Sequence, residues 1–116
     1  MTDKIKTGNQ GESLAADFLL KKGYEVVARN YRYKHSEIDL IVKQETLLVF
    51  VEVKTRSSSS FGEPEAFVDS KKAAKIFEGA DQYIHETNWI GNIRFDIVSV
   101  KMGAKAEVAH FEDAFH

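Results

Sequence analysis

At 116 residues with no cysteine, the chain is long enough to bury one hydrophobic core without disulfides, while thiolate zinc sites and cysteine nucleophiles are excluded. Its 43% hydrophobic and 29% charged residues are the balance of an ordinary globular protein, so disordered and fibrous classes drop out and residues 1–116 are expected to form a single domain. The formal net charge of −2 lacks the basic field of a general nucleic-acid binder, so any such contact must come from a local patch.

The first residues, Met1 to Lys6, are polar and carry no apolar h-region, and no later stretch is long enough to span a bilayer. A cytoplasmic protein without a membrane partner is expected. From Thr7 to Lys22 the pattern is helical, with Leu14, Ala15, Phe18 and Leu19 on one side; Thr7 with Gln10 fits a capping box and Gly23 fits the stop. Glu12 falls in the first turn, where the plain explanation is that it complements the helix dipole.

Tyr24 to Tyr33 reads as the first strand and runs into interleaved basic and aromatic residues, Arg29, Tyr31, Arg32, Tyr33, Lys34 and His35. Such a mixture can contact phosphates and stack on bases, and it also occurs on solvated edges. Glu37 to Lys43 alternates as a second strand, Ile38, Leu40 and Val42 on one face and Glu37, Asp39 and Ile41 on the other. Thr46 to Thr55 is the third strand, paired with the second as a hairpin.

Within the third strand, Val49 to Arg56 is apolar and β-branched at its start but places Glu52 and Lys54 on one face near its end. Hairpin parity adds a partner. Whether the connecting loop is Gln44–Glu45 or Gln44 to Leu47, Asp39 and Glu52 point to the same face, as diagonal or direct neighbours. Two carboxylates so placed repel, and the repulsion is relieved by a shared proton, a cation such as Lys54, or a divalent metal. An isolated Glu-x-Lys on a strand is otherwise no more than a weak exposed ion pair.

Arg56 to Glu65, with four consecutive serines, Gly62 and Pro64, reads as a flexible loop that serves as a lid or a connector. Asp69 or Ser70 caps a second helix running to about Glu86, with Ala73, Ile76, Phe77, Ala80, Tyr83 and Ile84 as its apolar stripe. Lys71, Lys72 and Lys75 crowd its first turns against the helix dipole, which signals either a nearby anion or a solvated face. Ile93 to Lys101 is a fourth strand on which Arg94, Asp96 and Val98 share a face, and Ala106 to Phe111 adds a short edge strand. His35, His85, His110 and His116 have no metal-ligand spacing, and there is neither a phosphate-binding glycine loop nor a serine elbow.

The order helix, three strands, helix, strand gives an α/β layer arrangement around a mixed sheet. Within it, Gly11-Glu12, Ser36 to Leu40, Val49 to Arg56, Phe61-Gly62 and Arg94 to Asp96 resemble the motifs of the YraN-like UPF0102 family. That family is similar to PD-(D/E)xK nucleases of the archaeal Holliday junction resolvase type. The resemblance implies a restriction-endonuclease-like core and a catalytic set of Glu12, Asp39, Glu52 and Lys54. Ser36 stands where the family motif has glycine, a change at the strand entry that removes no catalytic group. Asp39 and Glu52, with Glu12 through water and the carbonyl of Val53, offer hard oxygen ligands to Mg²⁺ or Mn²⁺, and Arg32, Lys34, Arg56, Lys71 and Lys72 are candidate nucleic-acid contacts. The expected activity is metal-dependent cleavage of structured or branched DNA, with RNA as the lesser alternative and a homodimer left open. The competing expectation is a nucleic-acid-binding or adaptor protein that keeps the fold without turnover.

Overall fold

The computed structural model describes residues 2–56 and 68–116, with residues 2–8 described through their backbone alone. The elements are α1 (Thr2–Lys21), β1 (Glu25–Tyr33), β2 (Ser36–Gln44), β3 (Leu47–Arg56), α2 (Ser70–Thr87), β4 (Asn92–Lys101) and β5 (Glu107–Phe111). They build one five-stranded sheet in the order β1-β2-β3-β4-β5, antiparallel throughout except for the parallel pair β3 and β4. A parallel pair needs a crossover, and α2 lies within it. This is the mixed α/β arrangement expected from the sequence, with Glu107–Phe111 as the extra edge strand.

Alternation on β3 sets the layers. Val49 and Val51 pack with Ala15, Ala16 and Leu19 of α1, whereas Leu48 and Phe50 pack with Ala73, Ile76 and Ala80 of α2. The two helices therefore cover opposite faces of the sheet. Under α2 the core is aromatic: Phe95 stacks on Phe50 at 5.4 Å between centroids and meets Phe77 at 4.8 Å and Phe115 at 5.5 Å.

The helix ends are locally specified. Gly23 takes a φ of 97°, a conformation open to glycine, and the Gly23 and Tyr24 amides donate back to the carbonyls of Leu20 and Leu19, both at 3.0 Å. Asp69 caps α2 by accepting from the Lys72 amide at 2.8 Å, and Asn88, φ 55°, closes it. The expected capping box at Thr7 is incorrect, because α1 already begins at Thr2 and Thr7 lies inside it. Residues 2–6 contain neither proline nor glycine, so nothing in the backbone stops the helix from extending toward its N-terminus. Of the loop expected from Arg56 to Glu65, Arg56 belongs to β3, which runs one residue further than expected, and the rest lies outside the described residues.

One strand departs from simple alternation, and it matters for the site. Leu40 and Val42 belong to the α1-side cluster as expected, but Ile38 joins the α2 side together with Ile41. The single face expected for Ile38, Leu40 and Val42 is therefore broken between residues 38 and 40. Asn30, φ 51°, lies between two residues of β1, Arg29 and Tyr31, that pair with Leu40 and Ile38. The left-handed residue interrupts the pleat there, and Asp39 stands at the interruption. Further along β2, Ser36 nests against Gly79 of α2, where a Cβ would lie 3.2 Å from the serine Cβ. The serine is accommodated because the helix offers a glycine opposite it.

Candidate active site

The hairpin delivers the carboxylate pair. β2 and β3 pair from Gln44 with Leu47 to Leu40 with Val51, a register whose continuation sets Asp39 opposite Glu52. At that point the Asp39 carboxylate itself takes over the ladder, accepting from the Val53 amide at 2.8 Å. The Glu52 carboxylate bears directly on the Asp39 carboxyl, and like charges so placed oppose one another. Burial first, and the neighbouring Glu52 charge second, push the Asp39 carboxyl up to about 8. A carboxyl that resists ionisation at neutral pH marks a place built to hold a proton or a cation.

Lysines surround the pair. Asp39, Glu52 and Lys54 line a cleft of about 610 Å³ together with His35, Glu37, Asp69, Lys71, Lys72 and Lys75. Glu52 is 4% exposed and its Oε2 receives two ammoniums, Lys72 in a direct ion pair and Lys54 at 4.0 Å. Burial, followed by the Lys72 charge, holds the Lys54 ammonium below its ordinary value. Burial is the largest single influence on Lys72 and acts the same way, but the bond to Glu52 and the charges of Glu52 and Asp39 together outweigh it and the net shift is upward. Of the lysines that oppose the α2 dipole, Lys72 thus answers to a real anion, Glu52.

Glu12 approaches from α1 without lining the cleft. It is hydrogen-bonded to Asn30 and lies within electrostatic range of Glu37 and Glu52; burial, then these two acids, raise its pKa against the pull of Asn30 and Arg29. Gly11 permits this approach, since a Cβ there would meet the Thr55 Cβ and Cγ2 at 2.9 Å. Gly11→Ala is therefore expected to cost about 1–3 kcal/mol by overpacking, outweighing the roughly 1 kcal/mol gained in helix propensity. Urea unfolding checks it; a variant as stable as the parent would show that α1 does not need this contact.

Of the candidate nucleic-acid contacts, Lys71 and Lys72 are on the cleft wall. Arg32, Lys34 and Arg56 are not. Arg32 reaches Glu37 at 3.4 Å, Lys34 lies over the Tyr33 ring at 5.2 Å, and Arg56 ends β3 opposite Lys101. Glu37, which lines the cleft, has Arg32 as its ion-pair partner. Sequence reasoning missed Asn30, whose type is among those that tolerate a left-handed φ, and did not place His35 and Asp69 at the cleft.

No group of three or more His, Asp or Glu side chains that could hold a metal ion is present among the described residues. The donors that fit a hard divalent cation are the two carboxylates of Asp39 and Glu52, whose mutual repulsion such an ion would relieve. No helix among the described residues is long and apolar enough to cross a membrane.

Fold and site together define an α/β protein with paired carboxylates, Glu52 buried and Asp39 half-buried, and a lysine wall at one end of a mixed sheet. The chain belongs to the family described as uncharacterised protein family UPF0102, whose profile matches residues 11–100. The UPF0102 protein FP2501 of Flavobacterium psychrophilum is 40% identical over 117 residues, covering 100% of this chain and 98% of its own. A UPF0102 protein of Chlorobium chlorochromatii is 39% identical over 93% of this chain and 89% of its own. THEYE_A1950 of Thermodesulfovibrio yellowstonii is 38% identical over 97% of each.

Proposed function

We propose that this protein is a divalent-metal-dependent endonuclease that hydrolyses phosphodiester bonds in structured or branched DNA. The observation that carries the reading is the pair of acids, Asp39 and Glu52, in a cleft also lined by Lys54, Lys71, Lys72 and Lys75. Acids that need a cation, facing amines that attract phosphate, suit a polyanion cut at a metal.

Asp39, Glu52 and the Val53 carbonyl would hold Mg²⁺ or Mn²⁺, with Glu12 reaching it through water. When bound, the ion supplies Lewis-acid polarisation of the phosphate. Lys54, its ammonium weakened by burial, orients the attacking water and steadies the charge that develops on the phosphate oxygens. Lys71 and Lys75 hold the flanking phosphates, and Glu37 keeps Arg32 at the rim.

The test is incubation with Mg²⁺ or Mn²⁺ and a panel of linear, flapped and four-way DNA, with RNA counterparts as competitors. Cleavage of branched DNA that EDTA abolishes is expected; no metal-dependent cleavage of any substrate would sink the reading. The direct ion pair between Lys72 and Glu52, and the lack of a ready set of three ligands among the described residues, favour a second reading as a non-catalytic binder or adaptor. Binding of branched DNA that survives both EDTA and Lys54→Ala, without cleavage, would select it.

A further inference from the structure

Resting on the metal-site reading above, we propose that Lys72 is a resident cation of the site: it neutralises Glu52 while no metal is bound, and is displaced toward the cleft wall when a divalent ion enters. Glu52 Oε2 takes the Lys72 ammonium directly and the Lys54 ammonium at 4.0 Å. Two single positive charges there equal the charge of one divalent ion. The buried Glu52 carboxylate left without any cation would be strongly unfavourable, so the lysines stand in for the ion.

An ion between Asp39 and Glu52 makes the arrangement too positive. Two ammoniums and a divalent cation would then face two carboxylates in a partly desolvated cleft, where like charges repel strongly. One ammonium has to withdraw, and the elements decide which. Lys54 projects from the same strand as Glu52, two residues on, and its backbone is fixed beside Ser99 of β4. Lys72 comes from the first turn of α2 on the far wall, with its side chain 39% exposed. Its neighbours on that wall are Lys71 and Lys75. Asp69 pins the Lys72 amide, so the withdrawal is a rotation of the side chain about a fixed backbone.

The displacement joins two events. With metal absent, the Lys72 ammonium is taken up by Glu52; with metal present, it is freed to act beside Lys71 and Lys75 as a three-lysine surface for a phosphodiester. Lys72 is thus a positioning residue that makes capture of the polyanion depend on the metal.

Mn²⁺ binding, read by the electron paramagnetic resonance of the free ion, tests this without reference to cleavage. Lys72→Met is expected to bind Mn²⁺ at least about tenfold more tightly than the parent, the scale of one charge-assisted contact removed, and Lys105→Met to bind within about twofold of it. In the unaltered protein, the ¹H–¹³C resonance of the Lys72 ε-methylene should move toward that of a solvated lysine as Mg²⁺ is added, which needs no variant that folds. Unchanged or weaker Mn²⁺ affinity in Lys72→Met, or a Lys72 resonance unmoved at saturating Mg²⁺, would overturn the proposal. Tighter Mn²⁺ binding with no cleavage of any substrate would support it while sinking the nuclease reading. Absence of Mn²⁺ binding in both proteins would overturn both.

Discussion

Asp39→Asn is expected to lower metal-dependent cleavage on the order of 10³-fold while raising the thermal stability of the metal-free protein at pH 8. The two effects have one cause. The carboxylate at residue 39 sits beside Glu52, and burial together with that neighbour pushes its pKa up to about 8. An asparagine keeps an oxygen for the Val53 amide, now bonded to Asp39 at 2.8 Å, but brings neither the negative charge a metal needs nor the repulsion it causes.

The sign of the pH dependence follows. The folded-state pKa of Asp39 is raised above its unfolded value of 3.8, so folding favours the protonated form. That contribution is full below about 3.8 and is lost progressively as pH rises through about 8. In EDTA, the parent should therefore melt lower at pH 8 than at pH 5, with a slope of up to about 1.4 kcal/mol per pH unit from this group. Asp39→Asn should flatten the slope and raise the pH 8 melting temperature by about 4 °C or more. Thermal melts of both proteins at the two pH values decide it. Parallel pH profiles would show that the Asp39 pKa is not raised, and full cleavage by the variant would remove Asp39 from the site.

The sheet was legible because its strands are short, β-branched and bounded by turn residues, and the carboxylate pair was legible because a hairpin's parity is a local property. Residue numbers alone put Asp39 and Glu52 on one face, and the observed register makes them direct rather than diagonal neighbours. The break at Asp39 was not legible, since it depends on Asn30 adopting a left-handed φ on a neighbouring strand. Nor was the pairing of Lys72 with Glu52, which requires α2 to return over the end of β3. Charge crowding at the start of α2 left an anion and a solvated face as alternatives, and the choice belongs to tertiary structure. The start of α1 was misplaced because a capping pattern is a weak cue inside a stretch that can continue as helix.

The sequence placed Arg94 and Asp96 on one face, and only the fold shows what they join. Asp96 is fully buried, and its carboxylate accepts from Arg94 Nε and Nη2, both at 2.8 Å, from the Asp113 amide at 3.0 Å and from His110 Nε2 at 2.7 Å. Arg94 also donates to the Tyr24 hydroxyl at 2.9 Å, tying β4 to the end of α1. Lys22 Nζ donates to His110 Nδ1 at 2.8 Å, so the other ring nitrogen carries the proton offered to Asp96. Burial alone would raise the Asp96 pKa, but the bonds from Arg94, His110 and the Asp113 amide overcome it and hold the carboxyl below its ordinary value. Asp96→Ala removes the acceptor that all these donors share, stranding a largely buried guanidinium and a buried imidazole. The expected loss is about 3–5 kcal/mol, the range for breaking a buried ion pair from one side. Because the folded pKa is depressed, the stability that Asp96 contributes is present above the unfolded value of 3.8 and is lost as pH falls through the lower folded value. The loss caused by Asp96→Ala should accordingly be full near neutrality and shrink in strong acid. Urea unfolding at pH 7 and pH 3 measures both points; a loss under about 1 kcal/mol at pH 7 would show that Arg94 and His110 find other partners and that the network does not hold β5 and the C-terminal turn to the sheet.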